Sequence, residues 1–271
     1  MFPSKGGCIG ELAVLAEVVL TASESKRLIG KGVASMEVVK EAFKSGLIIV
    51  IKGTTNSYVA EEILGEPIEK ERYGVGIVVP GMLSYILPEE SIPHIIIEKG
   101  KVRKDLSIEE ALKMLKTGDA LIKGANALDP DGVTGVFLGR SPNSEGGTIG
   151  LSLGTVVGRG VNFIIPVGLE KLIPVPVREV VAQLNDKEVG LAMGLTVSMM
   201  PTMGKVVTEI EAFKILAGVE AVNIGGGGVG GAEGAHVFLL KGDEEAVTKA
   251  FNLVQSIKGE PLFKPVAYWQ L

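Results

Sequence analysis

The residues best suited to chemistry lie in three polar segments, each downstream of an apolar run. The first is Lys52–Asn56, which follows the β-branched run Ile48–Ile51. The second is Lys123–Gly132, and the third is Glu145–Thr148. Lysine ammonium groups, hydroxyl groups and glycine backbone N–H groups are donors that bind small anions. The segments therefore indicate a site for a small anionic metabolite.

The first segment has the form strand, glycine turn, helix. Ile48–Ile51 is apolar on both faces, as in a central parallel strand, and a helix pattern follows Gly53 and ends at Gly65. Free N–H groups and the macrodipole make such a helix start suitable for an anion. We predict ligand contacts from Lys52, Gly53, Thr54, Thr55 and Asn56, with Thr54 and Thr55 capping the helix. The alternative is a tight turn in which a threonine only caps.

The second segment follows the apolar run Ala120–Ile122. Lys123 is placed to meet a phosphate or carboxylate, or else points to solvent at the end of the sheet. The predicted ligand contacts are Lys123, Gly124, Ala125 and Asn126. Asp129 is a candidate functional acid, although Asp-Pro-Asp-Gly also suits a turn, and Asp131 reads as a turn residue.

Composition limits the class of protein. The 271 residues are 46% apolar with positive mean hydropathy, which is ample for a core, and the net charge of −5 without a basic cluster argues against nucleic acid. The single cysteine, Cys8, excludes an intrachain disulfide and reads as an incidental thiol. Ile9–Leu20 contains two glutamates and is too short to span a bilayer, so we expect a soluble strand or helix in a cytoplasmic protein without membrane contact.

Strands alternate with helices through residues 1–174, which predicts an α/β domain with a doubly wound, mostly parallel, Rossmann-like sheet. Capping boxes at Thr21/Glu24 and Ser107/Glu110 mark two of its helices. Ligands in such sheets bind outside the carboxyl ends of the strands. The three polar segments are therefore expected to converge there.

Residues 175–271 are predicted to form a second, smaller domain. Their β-α-β-β-α order, with a helix over Val206–Leu216, is typical of a ferredoxin-like α+β sandwich. The glycine-rich segment Gly225–Gly234 lacks the lysine and following helix of a phosphate-binding loop, and it reads as a hairpin connection or a close approach at an interface. We expect a homo-oligomer, and in a regulatory protein this domain would mediate assembly or sensing.

Three sequence segments, in this order, resemble the superfamily of ribose-5-phosphate isomerase, glucosamine-6-phosphate deaminase and CoA transferases. They are Glu24–Asn56, Ile122–Gly132 and Val167–Pro174, and the nearest likeness is to the lactate-utilisation (LUD) branch. The resemblance covers about 150 residues and stops at Pro174. It implies the same α/β fold and an enzyme acting on a small metabolite.

The resemblance also suggests catalytic roles. Isomerases of the superfamily carry carboxylates around the second segment, where this chain has Lys123 and Asn126 and keeps only Asp129. CoA transferases use a glutamate nucleophile beside a glycine-rich oxyanion loop, which Glu145, Gly146, Gly147 and Thr148 resemble. An ordinary polar hairpin loop is the alternative for that segment.

Two functions follow from these patterns. One is an enzyme of isomerase or CoA-transferase type acting on a small anionic or phosphorylated metabolite, with Asp129 and Glu145 as catalytic residues. The other is a non-catalytic metabolite-binding or regulatory protein on the same scaffold, which the missing acids favour. His94 and His236 are far apart, as a loop residue and a strand residue, without metal-ligand spacing; no metal site is predicted and the cofactor is unknown.

Overall fold

The computed structural model describes residues 13–141, 144–186 and 188–270. Cys8 and the first part of the predicted Ile9–Leu20 segment lie outside the described residues. The described strands are β1 Val14–Leu20, β2 Leu47–Val50, β3 Gly76–Val79, β4 Met82–Tyr85, β5 Ile95–Glu98, β6 Lys101–Val102, β7 Ala120–Ile122, β8 Ala127–Leu128, β9 Thr134–Gly139, β10 Asn162–Pro166, β11 Val197–Thr202, β12 Lys205–Val207, β13 Glu220–Gly227 and β14 Ala235–Gly242.

The described helices are α1 Ala22–Ala34, α2 Glu37–Ser45, α3 Thr54–Leu64, α4 Ile108–Met114, α5 Gly147–Arg159, α6 Val177–Asp186, α7 Glu209–Ala217 and α8 Glu244–Ser256. Both predicted capping boxes are confirmed. Thr21 and Glu24 exchange reciprocal side chain–backbone bonds at the start of α1, and Ser107 and Glu110 do so at α4. No helix in the described part of the chain is both long and apolar enough to cross a membrane.

A six-stranded sheet in the order β12-β10-β7-β2-β5-β6 forms the centre of the fold. The four strands from β12 to β2 are parallel, whereas β5 and β6 are antiparallel additions at the other edge. The structure is therefore mixed α/β with a mostly parallel central sheet, as predicted. The carboxyl ends of the four parallel strands share one edge.

The central sheet is covered on both faces. Ile49, Leu121 and Ile165 point into one apolar cluster, while Ile48 and Ile122 point into another, as the two-residue repeat of strands requires. The first cluster includes apolar side chains of α4, α5, α7 and α8, and the second includes those of α1, α2 and α3. Burial on both faces explains the unbroken apolar sequence of β2.

The elements after Pro174 are divided among three sheets. β11 pairs with β9, β12 joins the central sheet, and β13 and β14 form a third sheet with the N-terminal strand β1. The ferredoxin-like arrangement is thus not confirmed, because the three strands expected for it do not share one sheet: β11 lies apart from β13 and β14. The predicted helix over Val206–Leu216 is wrong at its start: Lys205–Val207 is strand β12, and α7 begins at Glu209 behind a Thr208/Glu211 capping box.

An ion-pair network joins α1 to α3 and to the C-terminal region. The Arg27 guanidinium contacts Glu61 at 2.6 Å, Glu62 at 3.0 Å and Glu260 at 2.9 Å, and it lies 4.8 Å from the Tyr58 ring centroid. Arginine suits this position because its planar fork serves several carboxylates at once. The network fixes α3, whose N-terminus faces the carboxyl edge of the sheet.

Candidate functional site

The carboxyl edge of the central sheet brings the first two polar segments together. β2 and β7 are parallel neighbours, with Val50 opposite Ile122, so the residues after them emerge side by side. A side chain added at Gly124 would put its Cβ 3.6 Å from Asn56 Oδ1 and 3.4 Å from the Pro166 carbonyl oxygen. Gly124 therefore allows the ends of β7 and β10 and the start of α3 to approach closely.

Helix α3 begins at this edge without a side-chain cap. Gly53 is the N-cap residue, and the first helical hydrogen bond runs from the Ser57 N–H to the Gly53 carbonyl oxygen at 2.9 Å. The N–H groups of Thr54, Thr55 and Asn56 precede that bond and have no partner inside the helix. The prediction that Thr54 and Thr55 cap the helix is wrong, because both lie within its first turn.

Two fully buried side chains at the start of α3 have polar atoms with no hydrogen-bond partner among the described residues. They are Thr55 Oγ1 and Asn56 Oδ1, in residues that are 2% and 0% exposed. The Asn56 amide nitrogen donates to the Ile51 carbonyl oxygen at 2.7 Å, so Oδ1 is turned toward Gly124. Buried polar atoms are usually hydrogen-bonded, and unpaired ones call for a functional explanation.

Lys123 is the central cation of the site. It is half-buried, and within the three described ranges no acceptor contacts its ammonium group. Burial lowers the pKa of Lys123 to about 8, because the charged form loses water without gaining a counter-ion.

Lys52 supplies a second cation and positions a histidine. Its ammonium donates to Ser91 Oγ at 2.7 Å, and its backbone N–H donates to His94 Nδ1 at 3.0 Å. Burial lowers the pKa of Lys52, and burial together with the charges of Lys52 and Lys123 lowers the pKa of His94 to about 4. His94 is a loop residue, as predicted, but its contact with Lys52 was not predicted.

The electrostatic balance of the site is positive. None of the ion pairs in the described part of the chain involves Lys52 or Lys123. Two lysines without carboxylate partners, beside the N-terminus of a helix, attract negative charge. Among the described residues, no group of three or more histidine, cysteine or acidic side chains is placed to hold a metal ion.

A second polar cluster lies where β10 and β12 end. The Lys171 ammonium donates to the Ala125 carbonyl oxygen at 2.9 Å, and Lys26 pairs with Glu170 at 2.7 Å. Glu209 is fully buried and accepts the Leu169 N–H at 3.0 Å; burial raises its pKa. Sequence reasoning missed Lys171 and Glu209, although Lys171 belongs to the Val167–Pro174 segment that carried the resemblance.

Asn126 and Asp129, an amide and an acid residue of the second segment, accept hydrogen bonds from backbone N–H groups. Asn126 Oδ1 accepts the Phe137 N–H at 3.0 Å. Asp129 Oδ1 accepts the N–H groups of Asp131 and Val133 at 3.0 and 2.8 Å, and its Oδ2 accepts that of Val177 at 2.9 Å. This geometry supports the turn interpretation of Asp129, which also anchors the start of α6.

The third segment forms the start of α5. Gly146 and Gly147 have φ values of 76° and 55°, which favour glycine, and Thr148 accepts the Ser152 hydroxyl through its carbonyl oxygen at 2.7 Å. Glu145 is exposed. Gly146 also lines a groove with Arg140 and Asp186 that contains none of the site lysines. No described contact brings this segment to Lys52 or Lys123.

The glycine-rich segment after β13 is a hairpin connection, as predicted. β13 extends through Gly227 and pairs antiparallel with β14. The Glu233 carboxylate accepts the Gly231 N–H at 2.9 Å, so the loop supplies its own anion.

Comparisons of the chain with protein-family models, with curated proteins and with solved structures found no match.

Proposed function

We propose that the chain binds a small carboxylated or phosphorylated metabolite at the carboxyl edge of the central sheet and acts on it as an enzyme. The observation that carries this proposal is that Lys52 and Lys123, which have no carboxylate partner among the described residues, follow the parallel neighbours β2 and β7 at the end where α3 begins without a side-chain cap. Lysines serve there as point charges, and the α3 N–H groups supply directed donors. The resemblance to the isomerase and CoA-transferase superfamily agrees with this location.

The alternative is a non-catalytic binding or regulatory protein. It is favoured by the positions of the two predicted acids: Asp129 is held by backbone N–H groups, and Glu145 is exposed at the start of α5. Neither acid is placed by a described contact at the anion site. An enzyme would therefore need a reactive group from the site itself, and Lys123 is the candidate.

Anion binding is tested by thermal shift with sulfate, phosphate, pyruvate and ribose 5-phosphate. A ligand that binds the folded state raises the melting temperature by mass action. We expect shifts for wild type that are reduced in Lys52→Met and Lys123→Met but kept in Lys104→Met, a matched change at an exposed lysine. Equal shifts in all four proteins, or none in wild type, would contradict the proposal.

Self-association through the β1-β14-β13 sheet is also proposed. Its inner face packs into the core, and its outer face carries apolar side chains together with the charged residues Glu17, Glu220 and Lys241. The apolar residues are Leu15, Val19, Val222, Val237 and Leu239, of which the first three are exposed. Exposed apolar side chains rimmed by polar residues mark surfaces that a partner covers. An isologous contact between two copies would bury this face in a symmetric dimer.

A further inference from the structure

We propose that Lys123 is a nucleophile that forms an imine with the carbonyl group of an anionic metabolite. This inference rests on the proposed function, because Lys52 and α3 must hold the anionic end of the same molecule. It names the substrate class as 2-oxo acids or sugar phosphates with a free carbonyl group. It also supplies the reactive group that the predicted acids do not.

The geometry separates Lys123 from an ordinary structural lysine. Lys26, Lys70 and Lys258 pair with carboxylates, and Lys171 donates to a carbonyl oxygen. Lys123 is half-buried at the end of β7, and none of the described residues accepts from its ammonium group. A half-buried amine without a counter-ion among the described residues loses part of its hydration, which favours the neutral and nucleophilic form of lysine.

The adjoining atoms fit a carbonyl compound with a charged end. The α3 N–H groups and Lys52 provide donors for the anion. Asn56 Oδ1, which is fully buried and has no partner within the described ranges, faces Gly124 next to Lys123. This amide oxygen can accept a hydrogen bond from a hydroxyl group of the substrate. Because the His94 Nδ1 accepts the Lys52 N–H, the proton of the neutral ring lies on Nε2, which makes it a donor.

The reaction balances without an oxidant or another cofactor. The neutral Lys123 amine attacks the carbonyl carbon, a C–N bond forms, and the oxygen takes up the proton that nitrogen loses to give a carbinolamine. The carbinolamine hydroxyl group then leaves as water with the remaining N–H proton while the nitrogen electron pair forms the C=N bond, which gives the imine. With a pKa of about 8, about a tenth of the Lys123 amine is neutral at pH 7, whereas an exposed lysine is almost wholly charged.

Borohydride trapping tests the inference on the wild-type protein. The protein is incubated with pyruvate or dihydroxyacetone phosphate, reduced, digested and analysed by mass spectrometry. We expect the reduced adduct on the peptide containing Lys123, its loss in Lys123→Arg, and its retention in Lys104→Met. Lactate and glycerol 3-phosphate, which keep the anion but lack the carbonyl group, should compete. Comparing the two carbonyl probes shows whether carboxylate or phosphate is preferred.

The outcomes separate this inference from the proposed function. A thermal shift with sulfate but no adduct at Lys123 with either probe would overturn the imine and leave the anion site intact. Equal labelling of exposed lysines and Lys123, or trapping of neutral acetone as readily as pyruvate, would also overturn it. Absence of both the sulfate shift and the adduct would overturn both proposals. Because the adduct is located on a peptide of the wild-type protein, the test gives a result even if Lys123→Arg does not fold.

Discussion

The backbone N–H of Lys52 donates to Nδ1 of His94 across 3.0 Å, linking the end of β2 to the loop before β5. A backbone N–H only donates, so Nδ1 must be unprotonated for the contact to exist. Protonation of His94 would therefore break the link and place a third positive charge near Lys52 and Lys123. The contact makes this corner of the site sensitive to acid.

His94 should contribute stability that is lost in acid. Burial and the two lysines depress its folded-state pKa to about 4 from an ordinary 6.5, so between these values the unfolded chain binds more protons. The free energy of unfolding then falls as pH decreases through this window, by up to about 3 kcal/mol from this residue. Urea titrations at pH 7 and pH 4 should show His94→Gln losing less stability than wild type; an equal loss in both would contradict the assignment.

Sulfate affinity should fall as the pH rises above about 8. Sulfate keeps its charge in this range, whereas Lys123, with its pKa near 8, loses its proton. A charged hydrogen bond contributes about 1.5–3 kcal/mol, so the loss should weaken binding about tenfold or more. Bound sulfate raises the pKa of Lys123, which moves the midpoint upward. Calorimetric titration of Lys123→Met should give weak binding at every pH; a steep pH profile in that variant would assign the titration to another group.

Thr55→Val should stabilise the unliganded protein. The valine keeps the shape of the side chain and removes a buried hydroxyl that has no partner in the described part of the chain, which should raise the free energy of unfolding by about 1 kcal/mol. The matched control is Thr134→Val, where the buried hydroxyl contacts the Thr202 carbonyl oxygen at 2.9 Å, so that change should destabilise. Chemical denaturation of both variants measures whether each substitution raises or lowers the free energy of unfolding. Destabilisation by Thr55→Val would mean that the hydroxyl already has a partner.

Asp129→Asn should lower stability without changing sulfate binding. Its carboxylate accepts three backbone N–H groups, and an amide nitrogen in place of one oxygen would face a donor instead. The expected loss is about 2 kcal/mol or more, from the strength of hydrogen bonds to a charged group. Asp131→Asn, in the exposed part of the same turn, is the control with little expected change. If Asp129→Asn lost sulfate binding while keeping the stability of the wild type, Asp129 would be assigned to the anion site.

The outer face of the β1-β14-β13 sheet should control self-association. Val19→Lys combined with Val222→Lys places two charges on this face, which a dimer interface would have to desolvate. Light scattering should show an oligomer for wild type and a monomer for the double variant. Val157→Lys, a charge on an exposed position of α5, should leave the oligomer unchanged. A monomeric wild-type protein would contradict the proposal.

Local sequence signals predicted much of the central sheet and its helices. The β-branched run of β2, Gly65 with a φ of 71° at the end of α3, and the two capping boxes each contain their structural information within a few neighbouring residues. The fold rule for parallel strands then placed Asn56 and Gly124 at one edge. These parts were predictable because local propensity, the pattern of burial and the local hydrogen bonds all favour the same secondary structure there.

The remaining features depend on partners distant in sequence. β12 is only Lys205–Val207, and its pairing with β10 decides its structure more than its own residues do. His94 became part of the site through its contact with Lys52, 42 positions away in the chain. The ferredoxin-like expectation counted the elements after Pro174 but could not show that β14 would pair with β1.

The pairing of β1 with β14 has a consequence for how the protein is made. Val14 lies opposite Gly242 and Leu20 opposite His236, so the ribosome must release most of the chain before β1 can meet its neighbour. Until then β1 exposes an unpaired apolar edge, the kind of segment that aggregates or is held by chaperones. Closure of a loop of this length favours slow folding. We expect the central sheet to assemble first on the nascent chain, with β1 joining β14 once the residues of β14 have been synthesised.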